Sequence, residues 1–480
     1  AVIAHQIIAQ CLDCGRQTQY SPTLLACPAC KSQWLEARYD LLKIAAELPG
    51  LLARRPFDLW RYRELLPVLE YNPNLSIGEG GTPLIHANNL GMMLGCPNLY
   101  IKDERQGPTG SFKDRQAAVN IAVLKEAGIT EVVLASTGNV AISYSAYAAR
   151  AGIKLWAFLT SLVPAEKMRE VALYGTQVVK VTASYDQAKK VAAEYARQRN
   201  LYLERGARSI PSVEAMKTIA YEVAEQLGGM LANTTAPADA HSTAEASSSP
   251  GDDLHRQWIA PDWYFQSISG GLGPLGTLKG FTELYQMGLT QSIPAIGGVQ
   301  IEGCAPMVHA WEANKDTAEP VVSPRTHIAT LSTGDPGRTY TLLRRRMLGN
   351  GEGAAVSSTE AGGGIFEKVS DEETFRTMHI LAKLEGISVE PAAAVAFAGL
   401  IKLVRAGTIK SDELIVVNCT GHTMPVERLI LGEGWARNVI LPSQPAAEAA
   451  HEGPSSEGLL AALNRVAEDR YPNVLIVDDT

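Results

Sequence analysis

Along this chain, runs of residues that read as strands keep giving way to helical patterns. The runs are residues 99–104, 131–135, 154–159, 177–181, 262–268, 295–302 and 413–418. Helical periodicity appears over 116–128, 141–152, 165–174, 186–198 and 277–287, and also over 58–70, 218–227, 371–385 and 390–404. Parallel neighbours need a crossover, which a helix supplies. The alternation therefore predicts an α/β fold, a parallel sheet with helices packed on both faces.

With 480 residues the chain has room for two or three domains. Its net charge of −8 argues against nonspecific nucleic-acid binding, and no apolar run is long enough to cross a bilayer. No basic segment followed by an apolar core and a small-residue cleavage site opens the sequence, so the expected compartment is the cytoplasm. Residues 232–253 are rich in Ala, Ser, Thr and Pro without periodicity, which predicts a disordered insertion over about 230–257. Residues 349–364 read as a glycine-rich mobile loop. Residues 441–480 read as a linker and a tail whose final strand and acidic pair look like the start of a receiver domain.

Cys11, Cys14, Cys27 and Cys30 form two C-x-x-C pairs, while Cys96, Cys304 and Cys419 are isolated. Two such knuckles present four thiolates to one tetrahedral ion, so residues 1–40 are expected to be a zinc-ribbon-like module holding a structural Zn2+. Four thiolates leave no open position for catalysis, and about forty residues bury too little core to be stable alone.

The segment 108–115, Pro-Thr-Gly-Ser-Phe-Lys-Asp-Arg, puts Lys113 at a helix N-terminus. The dipole there disfavours added positive charge and favours the neutral amine, the form that reacts with an aldehyde. Taken alone, such a lysine is more often a solvated side chain. Ser136, Thr137, Gly138 and Asn139 link the 131–135 strand to an alanine-rich helix, a loop that serves equally as an anion site or an ordinary cap. Ser269, Gly270, Gly271 and Gly273 follow the 262–268 strand and precede a helix expected from Thr277. Their glycines allow a phosphate close to the backbone, without the Gly-Lys-Ser/Thr ending of an ATP-type loop. Thr420 ends the 413–418 strand, where parallel sheets bind ligands.

In this order, Ser-Phe-Lys-Asp-Arg at 111–115, Ala-Ser-Thr-Gly-Asn at 135–139, the glycine loop at 269–276 and Thr-Gly-His at 420–422 resemble fold-type II pyridoxal-phosphate enzymes. The closest resemblance is to the threonine synthase family, within the tryptophan synthase β-like superfamily. Gly-Glu-Gly-Gly-Thr-Pro-Leu at 78–84 and Val-Glu-Pro-Ala-Ala at 389–393 match the same pattern. The resemblance implies two doubly wound parallel-sheet domains with pyridoxal 5'-phosphate between them, here a core over 41–440 with a smaller subdomain over about 115–200. It implies that Lys113 is the Schiff-base lysine and later a proton shuttle. Asn139 would meet the cofactor's ring hydroxyl, Ser269, Gly270, Gly271 and Gly273 its phosphate, and Thr420 its pyridine nitrogen. Ser136 and Thr137 would take the carboxylate of a small amino-acid substrate. The implied reaction converts O-phosphohomoserine and water to threonine and phosphate, and the expected assembly is a homodimer.

The substrate end departs from the family. Its Asn-Pro-x-Arg-x-Glu-Gly-Gln-Lys-Thr segment, which contributes to substrate-phosphate binding, corresponds to 209–218, with Ser209 for the Asn and Ser212 for the Arg. Losing an arginine at a phosphate removes a contact of about 1.5–3 kcal/mol. Arg208 and Lys217 are the nearby cations, and the usual basic residue after Thr-Gly-His is missing. Two alternatives on the same scaffold are a β-replacement synthase of the cysteate synthase kind and a hydroxyamino-acid dehydratase. A third, a non-catalytic cofactor-binding regulator, is disfavoured by the intact Lys113, Asn139 and Thr420 set.

Overall fold

Strand and helix alternate in the computed structural model, which describes residues 6–234, 258–349, 359, 363–422 and 437–439. Its strands are β1 (Ile8–Cys11), β2 (Gln17–Gln19), β3 (Leu35–Arg38), β4 (Leu84–His86), β5 (Leu99–Asp103), β6 (Glu131–Ser136) and β7 (Lys154–Thr160). They continue with β8 (Gln177–Val181), β9 (Tyr202–Leu203), β10 (Trp263–Ser267), β11 (Ala295–Ile301), β12 (Gly364–Val369), β13 (Ile415–Cys419) and β14 (Arg437–Val439). The chain divides into two units, Ala1–Val123 with Gly206–Thr423, and Leu124–Arg205 with Met424–Thr480. Among the described residues no helix is long and apolar enough to cross a membrane.

In the first unit one sheet runs β12-β11-β10-β13-β5-β4, parallel except where β4 meets β5. Alternate residues feed two cores, as a sheet covered on both faces requires. Tyr100, Tyr264, Ile296 and Val416 cluster with the helices Ile210–Thr234 and Leu272–Gln286. Ile101, Phe265, Val299 and Val417 cluster with Pro391–Arg405, a helix that begins on a proline whose missing N–H costs nothing there. A separate antiparallel sheet, β2-β1-β3, carries the N-terminal cysteines. Its small cluster of Ile7, Ala9, Leu35 and Ala37 is completed by Ile210 of the main body.

The second unit is an all-parallel sheet, β14-β8-β7-β6-β9. Val133, Phe158, Val179 and Val181 pack with Ala188, Val191 and Tyr195 of the helix Tyr185–Arg199.

Four sequence expectations are corrected. The helix expected over 58–70 is a 3-10 segment, Leu59–Leu65, interrupted at Tyr62. The helix expected over 218–227 runs Ile210–Thr234, straight through Gly228 and Gly229. Ile219, Ala220, Val223, Ala224 and Leu227 are fully buried along it. Such burial outweighs a glycine cost of about 1 kcal/mol each. The helix expected from Thr277 begins at Leu272, because Pro274 falls in its first turn, where it is tolerated. Gly364 belongs to β12 rather than to a loop, while 350–358 and 360–362 lie outside the described residues. So do 235–257 of the expected insertion and the linker and tail over 441–480.

A buried ion network ties the first unit together. The Arg115 guanidinium binds Glu104 at 2.7 Å and Glu222 at 2.7 Å, and Lys102 Nζ binds Glu222 at 2.7 Å and the Thr82 carbonyl at 2.7 Å. All four ionic side chains are 2% exposed or less. Their charges balance, so β5, the Ile210–Thr234 helix and the helix bearing Arg115 are held by fixed geometry as well as by apolar packing.

Candidate active site

Lys113 opens the helix Lys113–Glu126. The turn before it is closed by buried Asp114, which accepts from the Thr109 backbone N–H at 3.0 Å and from the Thr109 hydroxyl. This segment is fastened to the carboxyl end of β13. Phe112 N donates to Thr420 O at 3.0 Å, His422 N donates to Gly110 O at 2.9 Å, and Ser111 bridges Gly421. Lys113 and Thr420 thus stand on directly bonded backbone segments. Lys113 Nζ lies 4.5 Å from the Phe112 ring centroid and donates to Gln116 Oε1 at 3.4 Å.

Buried Gln116 leads on to Ser212 and Ser209. Gln116 Nε2 donates to Ser212 Oγ at 3.4 Å, Asn120 Nδ2 donates to Ser212 Oγ at 2.9 Å, and Ser209 Oγ donates to Asn120 Oδ1 at 3.0 Å. The nearby cations are committed elsewhere. Arg208 donates to Gln33 at 2.9 Å, and fully buried Lys217 pairs with Glu214 at 2.5 Å and Glu283 at 2.8 Å.

The glycine loop meets Lys113 through its neighbour. A Cβ on Gly273 would lie 3.1 Å from Phe112 Cε2 and collide with the Gln266 amide. Gly271 has φ +88°, and a Cβ there would lie 2.9 Å from Met307 Cε and 3.1 Å from Thr339 Cγ2. Ser269 Oγ sits 2.6 Å from Thr333 Oγ1. No side chain caps the Leu272–Gln286 helix, so its leading N–H groups suit an anion. Gly271→Ala is expected to cost about 1–2 kcal/mol in backbone strain alone. Urea unfolding of parent and variant reads that loss.

Beneath the loop lies a polar layer that the sequence reading missed. Tyr264 OH donates to Gln266 Oε1 at 2.7 Å, and Asn418 Nδ2 donates to Tyr264 OH at 2.8 Å. The signal was present: Gln266 and Asn418 are amides inside strands that are otherwise apolar.

Ser136, Thr137 and Asn139 belong to the second unit, at the end of β6 and the start of the helix Asn139–Ala151. Ser136 Oγ accepts from Gly138 N at 3.0 Å and Ala141 N at 3.1 Å. Asn139 Oδ1 accepts from Lys167 Nζ at 2.7 Å.

In the N-terminal module the four cysteine sulfurs lie within 4.8 Å of one another. Cys11 and Cys30 are 3.5 Å apart, Cys14 and Cys27 3.6 Å. Four thiolates about 2.3 Å from one zinc would be roughly 3.8 Å apart, far from the S–S length of a disulfide. The Cys30 backbone N–H, and that of Ala29, favour the thiolate of Cys27 and bring it down to about 6.

This chain belongs to the pyridoxal-phosphate dependent enzyme family, whose sequence profile matches residues 75–421. Within that family it is similar to threonine synthases. It is 32% identical to that of Methanocaldococcus jannaschii over 87% of this chain and 92% of the relative. To that of Methanosarcina acetivorans it is 31% identical over 86% and 91%. Among solved structures, maize serine racemase superposes with a TM-score of 0.56 at 19% identity, covering 72% of this chain and 90% of that one. Threonine deaminase isoform 2 from Solanum lycopersicum gives 0.54 at 19% identity, covering 72% and 81%. These two likenesses bear on fold alone, and the fold is the fold-type II α/β architecture.

Proposed function

We propose that this chain is a lyase of the threonine synthase type, converting O-phosphohomoserine and water to threonine and phosphate. The alignment with threonine synthases along more than nine-tenths of their length carries the reading. Bound pyridoxal phosphate supplies an electron sink for charge developing on substrate carbon. Lys113 would hold the cofactor's aldehyde carbon, and its amine would move protons to and from the substrate. The N–H groups of Gly270, Gly271 and Gly273, with the Ser269 hydroxyl, hold the cofactor phosphate. Thr420 meets the pyridine nitrogen and Asn139 the ring hydroxyl. Ser136 and Thr137 take the substrate carboxylate. Because Ser136 Oγ already accepts two N–H bonds, it serves that carboxylate through its own O–H.

Uncharged Ser209 and Ser212 favour a second reading, a fold-type II enzyme acting on serine, a threonine-like substrate or O-phosphoserine. Supplying O-phosphohomoserine and measuring threonine and phosphate separates the two. Formation of both supports the first. No turnover there, with activity on serine, threonine or O-phosphoserine, replaces it with the second.

The cysteine module holds one structural Zn2+ on Cys11, Cys14, Cys27 and Cys30; the close sulfur spacing supports this. Cys14→Ser is expected to take zinc from about one ion per chain to near zero by metal analysis, and to lower the melting temperature. Retention of a full zinc ion by that variant would sink the site.

A further inference from the structure

The helix that begins at the glycine loop is gripped further along by the cysteine module. Lys279, on Leu272–Gln286 and 5% exposed, donates to Glu214 of the Ile210–Thr234 helix and to the Ala37 carbonyl at 2.7 Å, and lies 3.9 Å from Glu36. Glu36, 6% exposed, also pairs with Arg346, whose guanidinium reaches the Leu275 carbonyl, in the first turn of that helix, at 3.5 Å. Burial alone would push the Glu36 carboxyl up, but Arg346 and then Lys279 bring it down to about 2, so it stays an anion. Glu36 and Ala37 lie on β3, paired with β1 so that Gln10 faces Glu36 and Cys11 faces Leu35. One sulfur ligand is therefore a single register step from the carboxylate that ties down the helix.

A second contact runs through the helix Arg338–Met347. Arg338 pairs at 2.5 Å with Asp13, between Cys11 and Cys14, and lies over the Trp34 ring at 5.5 Å. The next residue, Thr339, is the one whose methyl stands against Gly271. The half-exposed Arg338–Asp13 pair contributes little by itself, whereas Glu36 is a buried charge shared by Arg346, by Arg38 at 2.9 Å and by Lys279. A helix that starts Leu-Gly-Pro without a side-chain cap has a weak first turn, so an outside support matters there.

We infer that the four-cysteine module is a brace for the cofactor-phosphate loop, with Glu36 as the positioning residue that transmits it. The inference rests on reading residues 269–273 as that loop and the cysteines as a metal site. Glu36 fixes the Leu272–Gln286 helix, and with it the glycines at its start. The metal's part is to hold β1 and β3, and hence Glu36, in place.

Binding of two compounds to the full-length apoprotein tests this. Pyridoxal phosphate uses the loop, whereas pyridoxal has the same ring and aldehyde without the phosphate. Glu36→Gln is expected to keep its zinc, to bind pyridoxal phosphate about tenfold more weakly, and to bind pyridoxal within about twofold of the parent. Cys14→Ser should show the same split with the zinc gone, and Glu36→Asp should restore part of the loss. Equal weakening of both compounds in Glu36→Gln would mean general destabilisation and would overturn the brace, as would unchanged pyridoxal-phosphate affinity. If Cys14→Ser does not fold, Glu36→Gln decides alone. A parent protein that binds both compounds equally removes the loop reading itself, and the brace with it. Zinc-free parent protein refutes the metal's part, and Glu36→Gln still decides the rest.

Discussion

Lys113→Ala protein saturated with pyridoxal phosphate will lack the parent's lysine-bound visible band and show only the absorption of the free aldehyde, and its turnover of O-phosphohomoserine will fall by at least about a thousandfold. Two properties of the site lead to this. The amine is placed by backbone bonds, Phe112 N to Thr420 O and His422 N to Gly110 O, that no other lysine shares among the described residues. It is also an amine, and Lys113→Arg should not rescue, because a guanidinium stays protonated and does not attack an aldehyde. Absorbance spectra of the two variants, set beside steady-state rates, check the claim. A Lys113→Ala protein that keeps the parent's visible band would show that the covalent partner is elsewhere.

Glu222→Gln is expected to cost about 3–5 kcal/mol of stability at neutral pH, the range for breaking a buried pair from one side. Glu222 accepts from Arg115, Lys102 and the Gly81 backbone N–H within 2.9 Å. The glutamine keeps the shape but leaves buried Lys102 with neutral oxygen partners only. The same carboxylate sets an acid limb. Burial would raise it, but Arg115 and then Lys102 lower it from the ordinary 4.5 to about 2. A depressed carboxyl contributes its stability fully above its unfolded value and loses it as pH falls through the folded one. The parent should therefore lose about 3 kcal/mol from this group between pH 4.5 and 2, a loss that Glu222→Gln lacks. Urea unfolding at neutral pH and across that acid range measures both effects. Equal midpoints for parent and variant at neutral pH would show that the network carries no net stability.

The elements legible in the sequence were those with a local signature. β6 and β7 carry continuous apolar runs, Val132–Ala135 and Leu155–Leu159, and burial on both faces is what such runs encode. Two C-x-x-C pairs and a lysine in a turn before a helix are likewise local. The start of Leu272–Gln286 was hidden because Gly-Pro reads as loop unless one knows that it occupies a first turn. Lys102, Glu104, Arg115 and Glu222 were illegible as a network because isolated charges in a sequence look solvated. Their partners lie up to 120 residues apart. The inert surroundings of Ser212 and Lys217 were hidden for the same reason. Composition fixes neither which acid a buried base finds nor which amide a serine meets.

The place of β13 has a consequence for how the chain is made. It is one of the last described strands in the sequence, yet it lies between β10 and β5. Until residues 415–419 have left the ribosome, those two strands have no common neighbour and Phe112 N has no Thr420 O to bond. A nascent chain thus carries Lys113 and the 269–273 glycine loop while residues 274–414 are made, without that fastening. Assembly must wait for contacts of very long sequence separation, which form slowly. Chains stopped short of β13 would present two open parallel edges, the surfaces on which strands of other molecules add.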